Sequence, residues 1–308
     1  MMLKLSRREL LKGVCATAAY LQIHPHVLHA AGRETIKKII PSSGEELAVI
    51  GMGTSRTFDA GNDTALRAQL RNVLQSFFDN GGELIDSSPM YGSSEEVTGD
   101  LLKDVTGKDK LFAATKVWIY GRDAGIEQMQ ASMDKMGVET MDLMQIHNLR
   151  DWKTHLRTLR DWKEKGKIRY IGITTSHGRD HEEFIDIMKN EKLDFVQFSY
   201  NIENRVAEKE IFPVAADRGI ATLINRPFQR GSLFSKAGNK PLPGWAADID
   251  CDTWAQVFLK YIVSHPAATC VIPATSKVKH MEDNMNAGFG RLPDEALRKR
   301  MEADFVRL

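Results

Sequence analysis

Cysteine is scarce in this chain, with three among 308 residues, Cys15, Cys251 and Cys270, and their spacing matches no metal-binding pattern. Neither a disulfide framework nor a thiolate metal centre is therefore expected. No sign of charge prevails either, since 42 Lys and Arg against 41 Asp and Glu leave a formal net charge of +1. Nucleic acids and acidic membrane surfaces bind through an excess of positive charge, so neither is an expected partner. The chain also has no run of about 18 apolar residues, the length a membrane-spanning helix needs, so no stable membrane anchor is expected. What is present, 42% hydrophobic and 27% charged residues, is the composition of a soluble globular protein large enough to bury a sizeable core. A small neutral or mildly polar ligand suits such a chain best.

The first residues read as an address. Lys4, Arg7, Arg8 and Lys12 precede a short, mildly apolar stretch that reaches small residues at Ala30 and Ala31, which is a signal-peptide layout. The core SRRELLK resembles a twin-arginine export signal, with Leu10 where such signals most often carry Phe. That resemblance implies a signal peptide over 1–31, a mature domain over 32–308, recognition by the twin-arginine export machinery and a periplasmic location. The competing reading is an amphipathic N-terminal helix capped by Ser6, in a protein that stays cytoplasmic. His24, His26 and His29 share this removable segment and are not read as a metal site.

Beyond residue 33, short runs of Val, Ile, Leu and Phe alternate with longer amphipathic stretches. Eight strand segments are expected, at 48–54, 82–88, 111–118, 141–148, 168–176, 194–201, 219–228 and 269–276. Helical patterns fall between them, as at Leu66, Leu70, Val73, Leu74 and Phe77, where apolar residues recur at three- and four-residue steps. Eight such βα units point to a closed (β/α)8 barrel rather than an open sheet. An earlier pair of extended pieces around Pro41-Ser42-Ser43-Gly44 reads as a β-hairpin that closes the barrel bottom.

Polar residues gather where these strands end: Asp86, Lys116, His147, Thr174, Thr175, Gln197, Asn201 and Asn225. In barrel enzymes that is the face where chemistry takes place. Asp86, Tyr91, Lys116 and His147 come from the ends of the second, third and fourth strands and form a proton-transfer set. A nearby ammonium, Lys116, lowers the pKa of a phenol by favouring the phenolate, and Asp86 keeps that ammonium charged. His147 then donates a hydrogen bond to a substrate carbonyl. The set matches carbonyl reduction, in which hydride reaches carbon while a proton reaches oxygen, and hydride has to come from a cofactor. GMGT at 51–54 lacks the third glycine of a dinucleotide fingerprint. The basic stretch LRTLRDWKEKGKIR is interrupted by Asp161 and Glu164 and reads as a solvated helix face.

At these residues the chain resembles the aldo-keto reductase family, through the segment that runs from Asp86 past Pro89 and Tyr91 to Glu96, through ATKVW around Lys116 and through DLMQIHN around His147. The likeness extends over roughly residues 35 to 300. It implies that Asp86, Tyr91, Lys116 and His147 are the catalytic tetrad. It implies nicotinamide contacts at Thr174 and Thr175, where Ser and Asn are usual, and at Gln197. RPFQRGSLF resembles the family's phosphate loop and so implies cofactor contacts at Arg230, Gly231, Ser232 and Leu233. IPATSKVKHMEDNM implies adenosine contacts at Thr275, Ser276, Lys277, Asp283 and Asn284. Two further positions depart from the family pattern: Asn225 stands where many members stack an aromatic ring on nicotinamide, and His280 stands where many NADPH-preferring members have arginine. NADPH is the expected cofactor, with NADH possible, because Lys277 pairs with a 2′-phosphate as a point charge. Trp118 and His147 are the expected substrate-binding residues, for a small carbonyl compound or alcohol. Two other functions compete: a cofactor-binding regulatory protein with little turnover, and a barrel lyase or isomerase that uses the same acid-base residues.

Overall fold

The computed structural model describes residues 34–176 and 178–308. The SRRELLK segment, Cys15 and the histidines at 24, 26 and 29 lie outside the described residues. Eight parallel strands hydrogen-bond in chain order: β3 (Met52–Gly53), β4 (Leu84–Asp86), β5 (Phe112–Val117), β6 (Met141–Ile146), β7 (Ile168–Thr174), β8 (Phe195–Ser199), β9 (Ala221–Asn225) and β10 (Cys270–Val271). The sheet closes on itself where Ile50 bridges Val271, with Gly51 N donating to Val271 O at 2.8 Å and Val271 N to Val49 O at 2.9 Å. Closure leaves no exposed strand edge and yields the (β/α)8 barrel.

Side chains alternate along each strand, so one set fills the barrel and the other packs against the outer helices. Leu84, Ala114, Leu143, Phe195, Leu223 and Cys270 form an inner cluster, whereas Ile85, Ile146, Ile173, Val196 and Ile224 join the outer one. The antiparallel hairpin of β1 (Lys37–Ile39) and β2 (Glu46–Ala48) places Ile40 and Leu47 in the inner cluster beside Phe112, Phe195 and Ala221, the first residues of their strands. It thus stoppers the N-terminal mouth and leaves the C-terminal mouth open for chemistry.

The outer layer comprises α1 (Thr64–Asp79), α2 (Ser94–Leu102), α3 (Arg122–Met136), α4 (Trp152–Glu164), α5 (His181–Asn190), α6 (Ile211–Arg218), α7 (Ser232–Ala237), α8 (Trp254–Val263), α9 (Val278–Asn286) and α10 (Glu295–Val306). α1 starts at Asp63, whose carboxylate caps Leu66 N at 2.9 Å, and it buries Leu70, Val73, Leu74 and Phe77. α2 lies so close to α3 that a Cβ on Gly99 would sit 1.9 Å from Lys135 O.

Several strands are shorter than their apolar runs suggest. β10 stops at Val271 because Pro273 has no N–H for the ladder, although its carbonyl still accepts from Gly53 N at 3.1 Å. β9 stops at Asn225 because Arg226 turns into the left-handed region, with φ 53°. Among the described residues, nine other than glycine have positive φ, and eight of them lie on loops that follow barrel strands: Arg56, Asn148, Leu149, Asp151, Asp180, Arg226, Gln229 and Arg230. Such conformations persist where surrounding structure imposes them, and they concentrate at functional faces.

Candidate active site

The inward positions of the barrel change character with height. Above the apolar layer of Leu84, Ala114, Leu143 and Leu223, the next inward residue on each strand is polar: Asp86, Lys116, Gln145 and Asn225. Lys116 is fully buried and its Nζ donates to Asp86 Oδ2 at 2.6 Å and to Ser87 O at 2.7 Å. Asp86 Oδ1 accepts from Gln145 Nε2 at 2.8 Å and from Gln197 Nε2 at 3.0 Å, so both oxygens of a carboxylate that is 2% exposed are satisfied. Gly172 makes room for this layer, since a Cβ there would meet Gln145 Cγ at 3.0 Å. Burial would drive the Lys116 ammonium to lose its proton, but the charge and hydrogen bond of Asp86, with Tyr91 beside it, outweigh burial and hold its pKa above the usual lysine range.

Tyr91 reaches the same place through a turn after β4. Its N–H donates to Ser88 O at 3.0 Å, and its own carbonyl accepts from Ser94 N at 3.2 Å and Ser94 Oγ at 2.7 Å. α2 thereby clamps the turn from behind, and Glu95 in its first turn ties it to the barrel. The Glu95 carboxylate accepts from Thr115 Oγ1, the neighbour of Lys116, and from Ser132 Oγ at 3.1 Å. Lys116 Nζ sits 5.2 Å from the Tyr91 ring centroid, close enough for its charge to act on the phenol. The expected lowering of the Tyr91 pKa by Lys116 is present but outweighed: burial comes first, and the net displacement is upward. Tyr91 is therefore held as the protonated phenol, the form an acid needs.

His147 completes the set at the end of β6. Burial, with Lys116 and Arg150 adding like charge, lowers its pKa to about 3, so the ring is neutral at ordinary pH. Its Nδ1 lies 3.1 Å from Ser88 Oγ, and its ring stands edge-on to Tyr91, with centroids 6.1 Å apart at 87°. Where the Ser88 hydroxyl donates to Nδ1, the single proton of the neutral imidazole sits on Nε2. Trp118 also packs near it, with ring centroids 6.3 Å apart at 55°.

These groups open into a pocket of about 860 Å³ lined by Asp86, Tyr91, Trp118, His147, Thr174, Thr175, Gln197, Asn225, Arg230 and Gly231, among others. All four residues of the expected tetrad meet here, with Lys116 beneath the floor. Asn225, which has no ring to stack, is fixed as part of that floor: its Nδ2 donates to Thr175 O at 3.2 Å and its Oδ1 accepts from Ser199 Oγ at 2.6 Å. The remaining expected contacts lie off this pocket. Leu233 is buried in the outer core, and the Asp283 carboxylate accepts from Thr253 Oγ1 at 2.9 Å and from Gln256 Nε2 at 2.7 Å, tying α9 to α8. Ser232 starts α7, Thr275 Oγ1 accepts from Lys277 N at 3.1 Å just before α9, the Ser276 carbonyl accepts from Gln69 on α1, and Asn284 is buried within α9.

Sequence reading missed four residues. Gln145 was detectable, because it lies two positions before His147 on a strand and so faces inward with it. Ser88 lies in the same short turn as Tyr91. Arg56 and Arg226 were not detectable, because what marks them is the want of a counter-charge. Both line the pocket with Arg230, no carboxylate pairs with any of the three among the described residues, and Arg226 Nη1 is buried without a hydrogen-bond acceptor. Burial, reinforced by Arg230 and Arg56, lowers the pKa of Arg226. A partly buried guanidinium with one unsatisfied nitrogen and no counter-charge carries a cost that an anion entering the pocket removes.

A family model described as the Aldo/keto reductase family matches residues 49–303. Aldo-keto reductase YhdN of Bacillus subtilis (strain 168) is 27% identical over 219 residues, covering 64% of this chain and 63% of its own, so the chain spans just under two thirds of that relative. An NADH-specific methylglyoxal reductase of Escherichia coli (strain K12) is 25% identical over 198 residues, 54% of this chain and 58% of its own. An aldo-keto reductase from Klebsiella pneumoniae, solved in complex with NADPH, superposes with a TM-score of 0.72 at 19% identity, covering 89% of this chain and 95% of its own.

Proposed function

The chain belongs to the aldo/keto reductase family, and we propose that it is an NAD(P)H-dependent oxidoreductase that reduces an aldehyde or ketone to the alcohol, or runs the reverse reaction. The observation that carries this reading is the buried Lys116–Asp86 pair under a protonated Tyr91 and a neutral His147, at the mouth of one pocket. A regulatory protein with no chemistry to perform has no need of a buried ion pair aimed at a phenol.

The pocket residues fit a nicotinamide dinucleotide. Thr174, Thr175, Gln197 and Asn225 offer the donors and acceptors a carboxamide needs, and Arg226, Arg230 and Arg56, which have no carboxylate partner among the described residues, offer guanidiniums for a diphosphate. When bound, the cofactor supplies the hydride. Tyr91 gives its hydroxyl proton to the carbonyl oxygen as negative charge builds there. Lys116 stabilises the phenolate this leaves, and Asp86, fixed by Gln145 and Gln197, keeps the ammonium charged and in place. His147 orients the carbonyl through Nε2–H. NADPH is the favoured cofactor because Lys277, just before α9, supplies a charge for a 2′-phosphate.

Fluorescence titration with NADPH and NADH tests the cofactor reading. Arg226→Met is expected to weaken binding of either by about 10- to 100-fold, since a charge-assisted hydrogen bond contributes about 1.5–3 kcal/mol. It should also leave the cofactor-free protein as stable as the parent or more so, because a partly buried guanidinium repelled by Arg230 and Arg56 is removed. Turnover of 4-nitrobenzaldehyde by the parent protein tests the chemistry, and tight cofactor binding without turnover would favour the regulatory reading.

The SRRELLK segment supports export by the twin-arginine route, with cleavage near Ala31 and a periplasmic mature protein. Replacing Arg7 and Arg8 by Lys should trap the uncleaved chain in the cytoplasm. Equal periplasmic recovery of parent and variant on cell fractionation would overturn this.

A further inference from the structure

The arginines assigned to the cofactor follow β3 and β9, on either side of β10. Trp118 and His147 follow β5 and β6; in the closed ring of eight, His147 is three strands from both β3 and β9, and Trp118 is four from β9 and two from β3, so both stand across the mouth from Arg226 and Arg230. On that far side stands another cation the tetrad does not use. The guanidinium of Arg150 lies against Trp118, 3.9 Å from its ring centroid, and 5.0 Å from that of Tyr120. Stacking uses the face of a guanidinium and leaves its in-plane N–H groups free. Among the described residues no carboxylate pairs with Arg150, and Tyr120, which flanks it, is 68% exposed.

The surrounding backbone is held rather than loose. Asn148, Leu149 and Asp151 all have positive φ, at 51°, 55° and 48°, so the residues on both sides of Arg150 are in a conformation that side chains rarely adopt. The two loops are latched together: Gly121 N donates to Asp151 Oδ2 at 2.8 Å, and His155 Nε2 donates to Ile119 O at 2.7 Å. Asn148 N donates to Thr174 Oγ1 at 3.2 Å, and Trp118 N to Gln128 Oε1 at 2.6 Å. Arg150 is therefore fixed against Trp118, which lines the pocket together with His147, while Arg150 and Tyr120 are not themselves among its lining residues.

We propose that Arg150, set on Trp118 and Tyr120, receives a carboxylate carried by the substrate, so that the preferred substrates are anionic carbonyl compounds whose acid group lies several atoms from the aldehyde or ketone. This deepens the reductase reading and rests on it. A carboxylate matches the edge of a guanidinium in plane and charge, and a stacked guanidinium is already oriented to meet it. With the guanidinium on Trp118 and the imidazole of His147 in the pocket, charge and carbonyl have separate points of contact, which suits acids whose two groups are not adjacent.

Steady-state kinetics with 4-carboxybenzaldehyde and its methyl ester, the same aldehyde without the charge, tests this. The parent protein is expected to favour the acid by about 10-fold or more in kcat/KM. Arg150→Met should remove that preference mainly through KM, and Arg150→Lys, which keeps charge but not the plane, should restore part of it. Were Arg150 no more than a cover for Trp118, both substrates would suffer alike and the ratio between them would not move, which overturns the proposal. Should the parent reduce neither aldehyde, the reductase reading fails. Equilibrium dialysis of 4-carboxybenzaldehyde against parent and Arg150→Met then still decides the carboxylate site, since equal affinity would refute it.

Discussion

Tyr91→Phe is expected to lower kcat/KM for carbonyl reduction by about 10²- to 10⁴-fold, the range general acid catalysis contributes, while cofactor affinity and stability stay near parental values. The substitution keeps the ring that packs edge-on against His147 and removes the hydroxyl alone. The pH dependence carries the sharper information. Burial, resisted by Lys116, raises the Tyr91 pKa above its ordinary 10.0, so the protonated acid is present throughout the neutral and mildly alkaline range. Reduction should therefore hold steady there and decline only at strongly alkaline pH. His147, with a pKa of about 3, stays neutral across the same range and contributes no limb near its ordinary value of 6.5. A kcat/KM profile with a break there would count against the neutral imidazole, and unchanged turnover in Tyr91→Phe would remove Tyr91 as the acid.

Lys116→Met should abolish detectable reduction and also cost about 3–5 kcal/mol of stability, because a buried Asp86 would lose its counter-charge and keep only two glutamine donors. Urea denaturation measures the cost as a lowered midpoint. The companion variant separates fold from function. Lys116→Met combined with Asp86→Leu replaces the whole pair with apolar side chains, which is commonly neutral or stabilising, so the midpoint should recover while activity stays lost. The sign of the pH dependence follows from Lys116. Its folded pKa is raised above that of an unfolded lysine, so the pair's contribution is fully present below about pH 10 and is lost as pH rises through the folded value. The stability gap between parent and Lys116→Met should thus be constant from neutral to mildly alkaline pH. A cost below about 1 kcal/mol would mean that the pair is not buried as the structure has it.

Both variants act on residues legible in the sequence, and the reason is local. Asp86, Lys116 and His147 end apolar runs, and a run that ends in a charge on a strand places that charge at a rim. Tyr91 follows a Pro-containing turn five residues on. The proposed cofactor residues were less legible, because Thr174, Thr175 and Asn225 depart from the family pattern and their roles depend on what they bond to. Asn225 became interpretable once Ser199 and Thr175 were seen to pin its amide. Gln145 was overlooked although it stands two residues from His147, since nothing in a linear segment says that Asp86 needs a second partner.

The amino-acid order by itself determined the repeating βα pattern, the hairpin plug and the choice of Asp86, Tyr91, Lys116 and His147, because all three follow from short-range periodicity and from the chemistry of single side chains. Only the tertiary structure decided which charges are answered. It buried Lys116 against Asp86, outweighed the ammonium's pull on Tyr91 by drying the site, and left Arg56, Arg226 and Arg230 in the pocket, and Arg150 on Trp118, without carboxylate partners among the described residues. Whether a charge is paired depends on chain segments far apart in sequence that closure of the barrel brings together or keeps apart, and no local pattern encodes it.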